Sequence, residues 1–341
     1  MKRWYLYPFS LVYGLITSLR NTFYDLGIFK STRFSTPIIC VGNLSVGGSG
    51  KSPMVMYLAN YLATYLRTGV LSRGYGRVTK GYHVTNYESN YKDVGDEAMQ
   101  LFERYKNKFV IAVNEERVPG AKKLIQDMDL GVLVLDDAMQ HRKIKPGFSI
   151  LMTDYSDPYF KDYVLPAGNL RESRKGARRA DIIMVSKCPP DLTPEKKQYF
   201  LSRIKPRKHQ QVFFSSIAYD ETIIGIAKSL PDNNLAYYDV LLVTGIANPK
   251  PLLSHLGQFT KRIKHLKFPD HHNFSDQDIK NILSEYKKLG EYKILLTTEK
   301  DFTRLKTFDY LRDLLYYWPI NVVIDEKEKF NQTILNYVQQ N

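Results

Sequence analysis

Cysteine is nearly absent from this chain of 341 residues, and the two that occur, Cys40 and Cys188, lie far apart. Neither belongs to a CxxC pair, and no cysteines and histidines stand at the spacing of a zinc ligand set. The composition therefore argues against a disulfide framework and a structural zinc site, and it predicts a protein of a reducing compartment.

The chain also lacks a hydrophobic run long enough to cross a membrane. The residues from Trp4 to Leu19 are uncharged, but Arg20 follows, and a spanning helix needs roughly 20 apolar residues. The segment has no A-x-A-like site, which argues against a cleaved signal peptide.

The N-terminal segment nevertheless has the pattern of an amphipathic helix between Pro8 and Gly27. Its apolar stripe recurs at helical spacing: Phe9, Val12, Tyr13, Ile16, Leu19, Phe23 and Leu26. Aromatic and basic residues that favour the membrane–water interface accompany it: Trp4, Tyr5, Tyr7, Lys2, Arg3, Arg20 and Lys30. We expect the segment to lie on a bilayer; the alternative is an ordinary amphipathic helix packed against its own domain.

Positive charge is in excess, and the formal net charge is +14. Such an excess favours a polyanionic partner, either nucleic acid, anionic lipid or a phosphorylated substrate; the alternative is a generic solubilising surface. The chain has no helix-turn-helix signature, RNP motif or zinc pattern, so we expect no nucleic acid partner.

Beyond Lys30, short apolar runs alternate with helical patterns. The runs of strand character are 37–41, 69–72, 109–113, 132–135, 149–152 and 182–185. This alternation indicates an α/β fold with a parallel sheet covered by helices on both faces. A second series of strand and helix patterns begins near residue 225 and indicates a smaller α/β unit.

The sharpest local signal lies between the first predicted strand and the helix after it: Ser45, Val46, Gly47, Gly48, Ser49, Gly50, Lys51 and Ser52. Glycines let backbone N–H groups approach phosphate oxygens, and a helix N-terminus favours negative charge. In a P-loop, Lys51 would reach the β- and γ-phosphates and the Ser52 hydroxyl would bind Mg²⁺. The usual motif opens with glycine where this chain has Ser45, and the alternative is a glycine-rich turn without function.

A P-loop needs a carboxylate at the end of a neighbouring strand, and Asp136 and Asp137 directly follow the aliphatic run 132–135. Asp136 is the better placed of the two to hold Mg²⁺ or its waters. Guanine recognition in P-loop GTPases usually uses an Asn-Lys-x-Asp segment, and the run that begins at Ser186 lacks that aspartate. ATP is therefore the predicted nucleotide.

Further blocks accompany these motifs along the chain: GNLSVGGSGKSP (42–53), SRGYG (72–76), GDE (95–97), DDAMQH (136–141), LRE (170–172), RAD (179–181), GIANP (245–249), FPDHH (268–272) and TTEKD (297–301). In this order they resemble the tetraacyldisaccharide 4'-kinase family of lipid A biosynthesis over residues 38–305. The departures from the family pattern are Ser52 for threonine, Ala98 for proline, and Ala138-Met139 for Gly-Phe. None of them removes a charged or hydroxyl group.

The resemblance implies transfer of the ATP γ-phosphate to the 4'-hydroxyl of a tetraacylated glucosamine disaccharide 1-phosphate, an anionic lipid. The family acts at the cytoplasmic face of the inner membrane in bacteria with an outer membrane. It also implies two α/β domains with the active site in the cleft between them. We therefore expect a membrane-associating helix (1–30), a P-loop kinase domain (31–225) and a smaller C-terminal α/β domain (226–341).

The resemblance makes Asp96 the base that accepts the proton of the sugar hydroxyl, with His271 rather than His272 as its partner. On the residues alone, Asp96 also fits an N-cap for the helix pattern 97–105. A neighbouring pair of histidines is likewise more often structural than catalytic. Both alternatives stay open at this point.

Arg171 is expected to neutralise the transferring phosphate, and Glu172 to add to the magnesium site. The basic run after them is expected to contact substrate phosphate or lipid head groups, or to be a solvated face: Arg174, Lys175, Arg178 and Arg179. Arg73 and Gln140 are expected near the site without a defined role. The rival function is a membrane-recruited P-loop switch protein, which does not need Asp96 and His271 together.

Overall fold

The chain folds into two β-sheets with helices packed against them. The structure, a computed structural model, describes residues 4–226 and 228–340; Lys2 and Arg3, which the sequence adds to the predicted membrane contact, lie outside these ranges. The strands of the described residues are β1 (Ile38–Asn43), β2 (Thr68–Ser72), β3 (His83–Val84), β4 (Val110–Val113), β5 (Val132–Asp136), β6 (Phe148–Asp154), β7 (Ile182–Ser186), β8 (Gln211–Tyr219), β9 (Thr222–Gly225), β10 (Ser229–Pro231), β11 (Asp239–Thr244), β12 (Ile263–Lys267), β13 (Lys293–Thr297), β14 (Leu315–Tyr317) and β15 (Ile320–Ile324).

Helices connect most of these strands. The α-helices of the described residues are α1 (Tyr7–Asp25), α2 (Lys51–Leu62), α3 (Tyr91–Val94), α4 (Asp96–Tyr105), α5 (Arg117–Met128), α6 (Pro194–Ile204), α7 (Lys250–Leu256), α8 (Asp276–Lys287), α9 (Glu299–Leu305) and α10 (Lys327–Gln339).

The larger sheet has the strand order β15-β8-β7-β6-β1-β5-β2-β4-β3, and its strands from β8 to β4 run parallel. Both of its faces are covered, because alternate residues of β1 enter different cores. Ile39 and Val41 pack with α2 and α10, whereas Ile38 and Cys40 pack with α5. The predicted α/β class is confirmed, and the antiparallel edge strands make the sheet mixed.

The smaller sheet has the order β10-β9-β14-β13-β11-β12. The chain does not end there, since β15 returns to pair antiparallel with β8 and α10 packs in the core of the larger sheet. Residues 320–339 were expected in the smaller C-terminal domain, and that assignment is wrong for them. Their apolar residues, such as Phe330 and Ile334, complete the first core and not the second.

Helix α1 presents its small and polar residues to the protein. Ser10 and Thr17 are buried, the Ser10 hydroxyl accepts a hydrogen bond from the Ala167 amide at 2.9 Å, and Asn21 donates to Glu172 at 2.6 Å. Eight large apolar residues of the helix and of the turn before it are each at least half exposed: Trp4, Tyr5, Phe9, Leu11, Val12, Leu15, Ile16 and Leu19. Tyr13 and Phe23 of the predicted stripe are less exposed. Most of the predicted apolar stripe is therefore not packed against its own domain, although the opposite face of the helix is. No helix of the described residues has the length and apolar character needed to span a bilayer.

Candidate active site

The glycine-rich segment lies at the carboxyl end of β1 and opens helix α2, as the sequence predicts. Gly50 caps the helix with a φ of +78°, a conformation that favours glycine, and Gly47 has a φ of +109°. Side chains at the ends of β1 and β7 hold the loop in place. Asn43 Nδ2 donates to the Ser49 hydroxyl at 2.8 Å, and the Ser186 hydroxyl donates to the Ser49 carbonyl at 2.8 Å. The first-turn N–H groups of α2 and its dipole therefore lie at the glycine-rich segment 45–52, called the phosphate loop below, and this setting favours an anion such as phosphate.

Lys51 and Ser52 begin α2 beside carboxylates. The Lys51 ammonium lies 3.9 Å from Asp137 Oδ1, and the Ser52 hydroxyl donates to Glu97 Oε1 at 3.4 Å. Burial raises the pKa of Glu97, and the negative charge of Asp137 adds to this while Lys51 opposes it. Glu97, to which the sequence assigned no site role, thus places a carboxyl group next to the predicted magnesium hydroxyl.

Asp136 ends β5, which pairs directly with β1, and its side chain is buried. Its Oδ1 atom has no hydrogen-bond partner among the described residues. Burial, with the charges of Glu97 and Asp137, raises the pKa of Asp136 to about 8. A buried carboxylate oxygen without a partner, near the carboxylates of Glu97 and Asp137, suits a hard divalent cation.

The donor set fits Mg²⁺, which proteins commonly hold through one or two carboxylates together with substrate phosphates and water. Asp136, Ser52 and Glu97 would supply the oxygen atoms. The described residues contain no group of three or more His, Cys, Asp or Glu side chains arranged to hold a metal.

Asp137 is engaged by two cations. Arg171 donates to both of its oxygens, at 2.7 Å and 3.1 Å, and Lys51 lies on the same side. Although burial opposes it, the hydrogen bond from Arg171 and the charge of Lys51 hold the pKa of Asp137 below its usual range. Arg171 also donates to the side chain of Asn43 at the end of β1. The arginine is therefore anchored beside the phosphate loop, and its role toward the transferring phosphate stays a prediction.

Asp96 and His271 meet across the two sheets. His271 Nδ1 lies 3.0 Å from Asp96 Oδ2, and the sequence prediction of this pair is confirmed as a contact. Gly95 caps α4 and Asp96 forms no capping hydrogen bond, so the N-cap alternative for Asp96 is wrong. His272 instead contacts Asp278 at the start of α8, where it has a structural setting.

Arg304, from α9 of the smaller sheet, completes this group. Its Nε donates to Asp96 Oδ1 at 2.7 Å, a second guanidinium nitrogen donates to Oδ2, and Nη1 donates to the His272 carbonyl at 2.6 Å. Although burial opposes it, hydrogen bonds from His271 and Arg304 keep the pKa of Asp96 below its usual value. Asp96 therefore stays ionised in a buried position, next in the chain to Glu97 and hence to the phosphate loop.

A family model described as Tetraacyldisaccharide-1-P 4'-kinase matches residues 2–339. The chain belongs to this family. It is 43% identical over 338 residues to the tetraacyldisaccharide 4'-kinase of Flavobacterium johnsoniae, covering 98% of this chain and 97% of the relative. It is 41% identical over 356 residues to the enzyme of the same name from Bacteroides thetaiotaomicron, covering 99% and 93%.

A solved relative has the same fold. The crystal structure of LpxK from Aquifex aeolicus, described as a complex with ATP, is 29% identical and superposes with a TM-score of 0.79. The match covers 99% of this chain and 100% of that one. The resemblance of the sequence blocks to the tetraacyldisaccharide 4'-kinase family is therefore confirmed over the whole chain.

Glu172 is not available as a metal ligand, although the sequence placed it at the magnesium site. Arg179 donates to both of its oxygens, at 2.7 Å and 2.9 Å, Gln140 donates to Oε1 at 2.9 Å and Asn21 donates to Oε2 at 2.6 Å. Its carboxylate is fully buried and its lone pairs are occupied. In this member of the kinase family, Glu172 joins α1 to the strand that carries the phosphate loop, through Gln140.

Arg117 is a second buried arginine that the sequence did not identify. It donates to the carbonyl of Asn114 at 2.6 Å and to that of Asp136 at 3.1 Å, so it fixes the backbone at the predicted magnesium ligand Asp136. Burial lowers the pKa of Arg117, although the nearby Asp136 and Asp137 oppose this. A lone arginine at the start of a helix carries no local signal for such a role.

Proposed function

We propose that this protein, a kinase of lipid A biosynthesis, transfers the γ-phosphate of ATP to the 4'-hydroxyl of a tetraacylated glucosamine disaccharide 1-phosphate. The proposal rests on two neighbouring residues, Asp96 and Glu97, which contact different parts of the site. Glu97 contacts Ser52 of the phosphate loop, and Asp96, its neighbour, contacts His271 and Arg304 from the opposite sheet. The acceptor-side group and the phosphate-side group are thus held at fixed separation.

On the phosphate side, the backbone N–H groups of 45–50 and the Lys51 ammonium would bind the β- and γ-phosphates. Arg171 and Lys51 converge on Asp137, so both are positioned to neutralise charge on the transferring group. When bound at Asp136 and Ser52, Mg²⁺ would neutralise charge on the phosphate oxygens.

On the acceptor side, Asp96 would accept the proton of the 4'-hydroxyl. A carboxylate of low pKa is a weak base, but phosphoryl transfer passes through a loose transition state in which the hydroxyl proton leaves late. Positioning therefore matters more than basicity. His271 and Arg304 orient the carboxylate and keep it ionised.

The exposed apolar face of α1 supports action at a membrane surface, at the cytoplasmic face of the inner membrane where the family acts. The face combines Trp4, Tyr5 and Phe9 with aliphatic residues, the composition of an interfacial helix. Asn21 on the opposite face contacts Glu172, which places the membrane-facing helix next to the residues around the phosphate loop. A lipid-linked acceptor would thus reach the site without leaving the interface.

The enzymatic test is incubation of the full-length protein with γ-labelled ATP and tetraacyldisaccharide 1-phosphate in mixed micelles. We expect label in a bis-phosphorylated lipid, and no labelled lipid with a 4'-deoxy acceptor. A P-loop switch protein would instead hydrolyse ATP without labelling the lipid, and that result would overturn the proposed activity.

The membrane contact is tested separately by co-sedimentation with phospholipid vesicles. Phe9→Ser together with Ile16→Ser removes apolar area from the exposed face and should release the protein from vesicles. The matched control, Tyr237→Ser together with Tyr310→Ser, removes exposed aromatic area elsewhere and should leave binding unchanged. Equal binding of all three proteins would contradict a membrane role for α1.

A further inference from the structure

A cationic cavity of about 470 Å³ lies outside the active site, between the segment 174–178 and the end of helix α6. Six basic side chains line it: Arg174, Lys175, Arg178, Arg203, Lys205 and Arg207. No carboxylate lines the cavity, and among the described residues none of the six forms an ion pair, although Arg174 donates to the Asp162 carbonyl at 3.0 Å and 2.7 Å. Six positive charges around one concavity, without a carboxylate in its lining, repel one another, and a bound anion would relieve this repulsion.

The cavity has an apolar floor in addition to its charged rim. Tyr159 and Phe160 are buried at its base, and Ala177 lines the wall. Gln210 fixes the wall, since its amide donates to the Ala177 and Ala180 carbonyls at 2.9 Å and 2.7 Å. The volume falls within the roughly 300–1,000 Å³ of ordinary ligand pockets. The ligand it suits is anionic at one end and apolar at the other.

The cavity lies close to α1, and this position indicates where such a ligand comes from. The Arg174 guanidinium lies 5.8 Å from the centre of the Tyr163 ring, and that ring packs edge-on against Tyr7 of α1 at 5.7 Å. The cavity therefore adjoins the N-terminal end of the helix that exposes its apolar face. A basic pocket beside an exposed apolar helix is suited to an anionic lipid surface.

We propose that this cavity binds the phosphodiester head group of an anionic phospholipid, at a site separate from both the phosphate loop and the apolar face of α1. The phosphodiester would lie among the arginine and lysine side chains, and the glycerol portion against Tyr159 and Phe160. One arginine guanidinium can donate two parallel hydrogen bonds to two oxygens of the same phosphate. A basic surface that contacts only water has no need of this geometry. The site would bind the protein to the bilayer through one leaflet lipid while α1 inserts beside it.

The test compares two triple variants of the full chain that lose the same charge. The cavity variant is Lys175→Gln, Arg178→Gln and Arg207→Gln; the control variant is Lys122→Gln, Lys280→Gln and Lys287→Gln, all exposed and distant in the fold. Binding is measured to vesicles of phosphatidylcholine alone and of phosphatidylcholine with phosphatidylglycerol. We expect the cavity variant to bind the anionic vesicles on the order of 100-fold more weakly, at roughly fivefold per charge, and the control variant to bind nearly as the parent does.

Equal losses in the two variants would overturn the proposal, because they would show a general effect of net charge. Unchanged binding of the cavity variant would overturn it as well. In a second experiment, binding of inorganic phosphate to the parent and to the cavity variant is measured at constant ionic strength. If phosphate binding depends on the cavity residues but the protein shows no preference for anionic vesicles, the ligand of the cavity is a soluble anion and not a lipid. A single-stranded RNA probe that binds through the cavity more tightly than vesicles do would likewise exclude the lipid. Thermal unfolding midpoints equal to that of the parent are required of both variants, and Arg178→Gln alone repeats the comparison if the triple variant unfolds earlier.

Discussion

Replacing Arg304 with methionine would remove the guanidinium that holds Asp96 between the two sheets while keeping a long side chain in its place. Both residues are nearly inaccessible, with Arg304 4% and Asp96 3% exposed. The substitution leaves a buried carboxylate with His271 as its remaining partner. Breaking a buried ion pair by removing one member costs about 3–5 kcal/mol, so we expect the free energy of unfolding at neutral pH to fall by about that amount.

The loss should depend on pH. In the parent protein the folded pKa of Asp96 lies below its unfolded value of about 3.9, so the pair stabilises the fold above that pH and its contribution disappears as the pH falls through the folded pKa. In Arg304→Met the burial of Asp96 remains and the hydrogen bonds from Arg304 are gone, so its folded pKa rises. The variant then loses stability as the pH rises. The difference between the two proteins should be largest near pH 8 and shrink toward pH 4.

Urea unfolding at pH 8 and at pH 5 measures this difference. Arg312→Met is the matched control, because Arg312 and Asp309 form an ion pair at 3.5 Å whose side chains are 59% and 87% exposed. An exposed pair contributes about 0–1 kcal/mol, so the control should unfold nearly as the parent does at both pH values. A loss below about 1 kcal/mol for Arg304→Met, or the same loss at pH 5 as at pH 8, would refute this account of Asp96.

Three further changes test the site. Lys51→Ala should lower phosphoryl transfer on the order of 100- to 1,000-fold at an unchanged unfolding midpoint, and near-normal turnover would remove the P-loop assignment. Asp96→Ala and His271→Ala should each lower kcat strongly, while the double variant is little worse than the poorer single one; effects that multiply would mean independent roles. Asp136→Asn should weaken Mg²⁺-dependent ATP binding, measured by titration calorimetry, yet leave the nucleotide-free protein no less stable at pH 9, because burial raises the pKa of Asp136 to about 8 and its ionised form opposes folding there. A nucleotide-free variant less stable than the parent at pH 9 would contradict this.

Features encoded in neighbouring residues were predictable from the sequence. The phosphate loop is one, because its glycines, Lys51 and the flanking strand and helix lie within a dozen residues. The direction of a side chain was not predictable in the same way. Glu172 follows Arg171 in the chain, yet Arg171 contacts Asp137 while Glu172 contacts Arg179. Two neighbouring side chains can point in different directions, and only the backbone conformation decides which direction each one takes.

Contacts between distant residues carried even less local signal. Asp96 and Arg304 are 208 positions apart, and nothing near Arg304 in the sequence distinguishes it from the last basic residue of an ordinary helix. The apolar periodicity of α1 was evident, but periodicity gives a stripe and not the partner it faces. The small residues Ser10 and Thr17 determine the orientation of α1, because they let the face of the helix opposite the apolar stripe pack closely on the protein.

Buried charged side chains also form polar contacts that hold the two sheets together at the site. Beside Asp96 and Arg304, Arg104 of α4 donates to Glu299 of α9 at 3.2 Å. Its guanidinium also donates to the carbonyl of Ile320, the first residue of β15 in the larger sheet, at 2.7 Å. Helix α4 therefore carries residues that contact the phosphate loop at its first turn and the smaller sheet along its length. The orientation of Asp96 depends on Arg304 of α9, whereas Lys51 contacts Asp137 and Ser52 contacts Glu97. Because phosphoryl transfer depends chiefly on positioning, these contacts between α4 and α9 bear on the acceptor side of the proposed site, where they hold the Asp96 carboxylate.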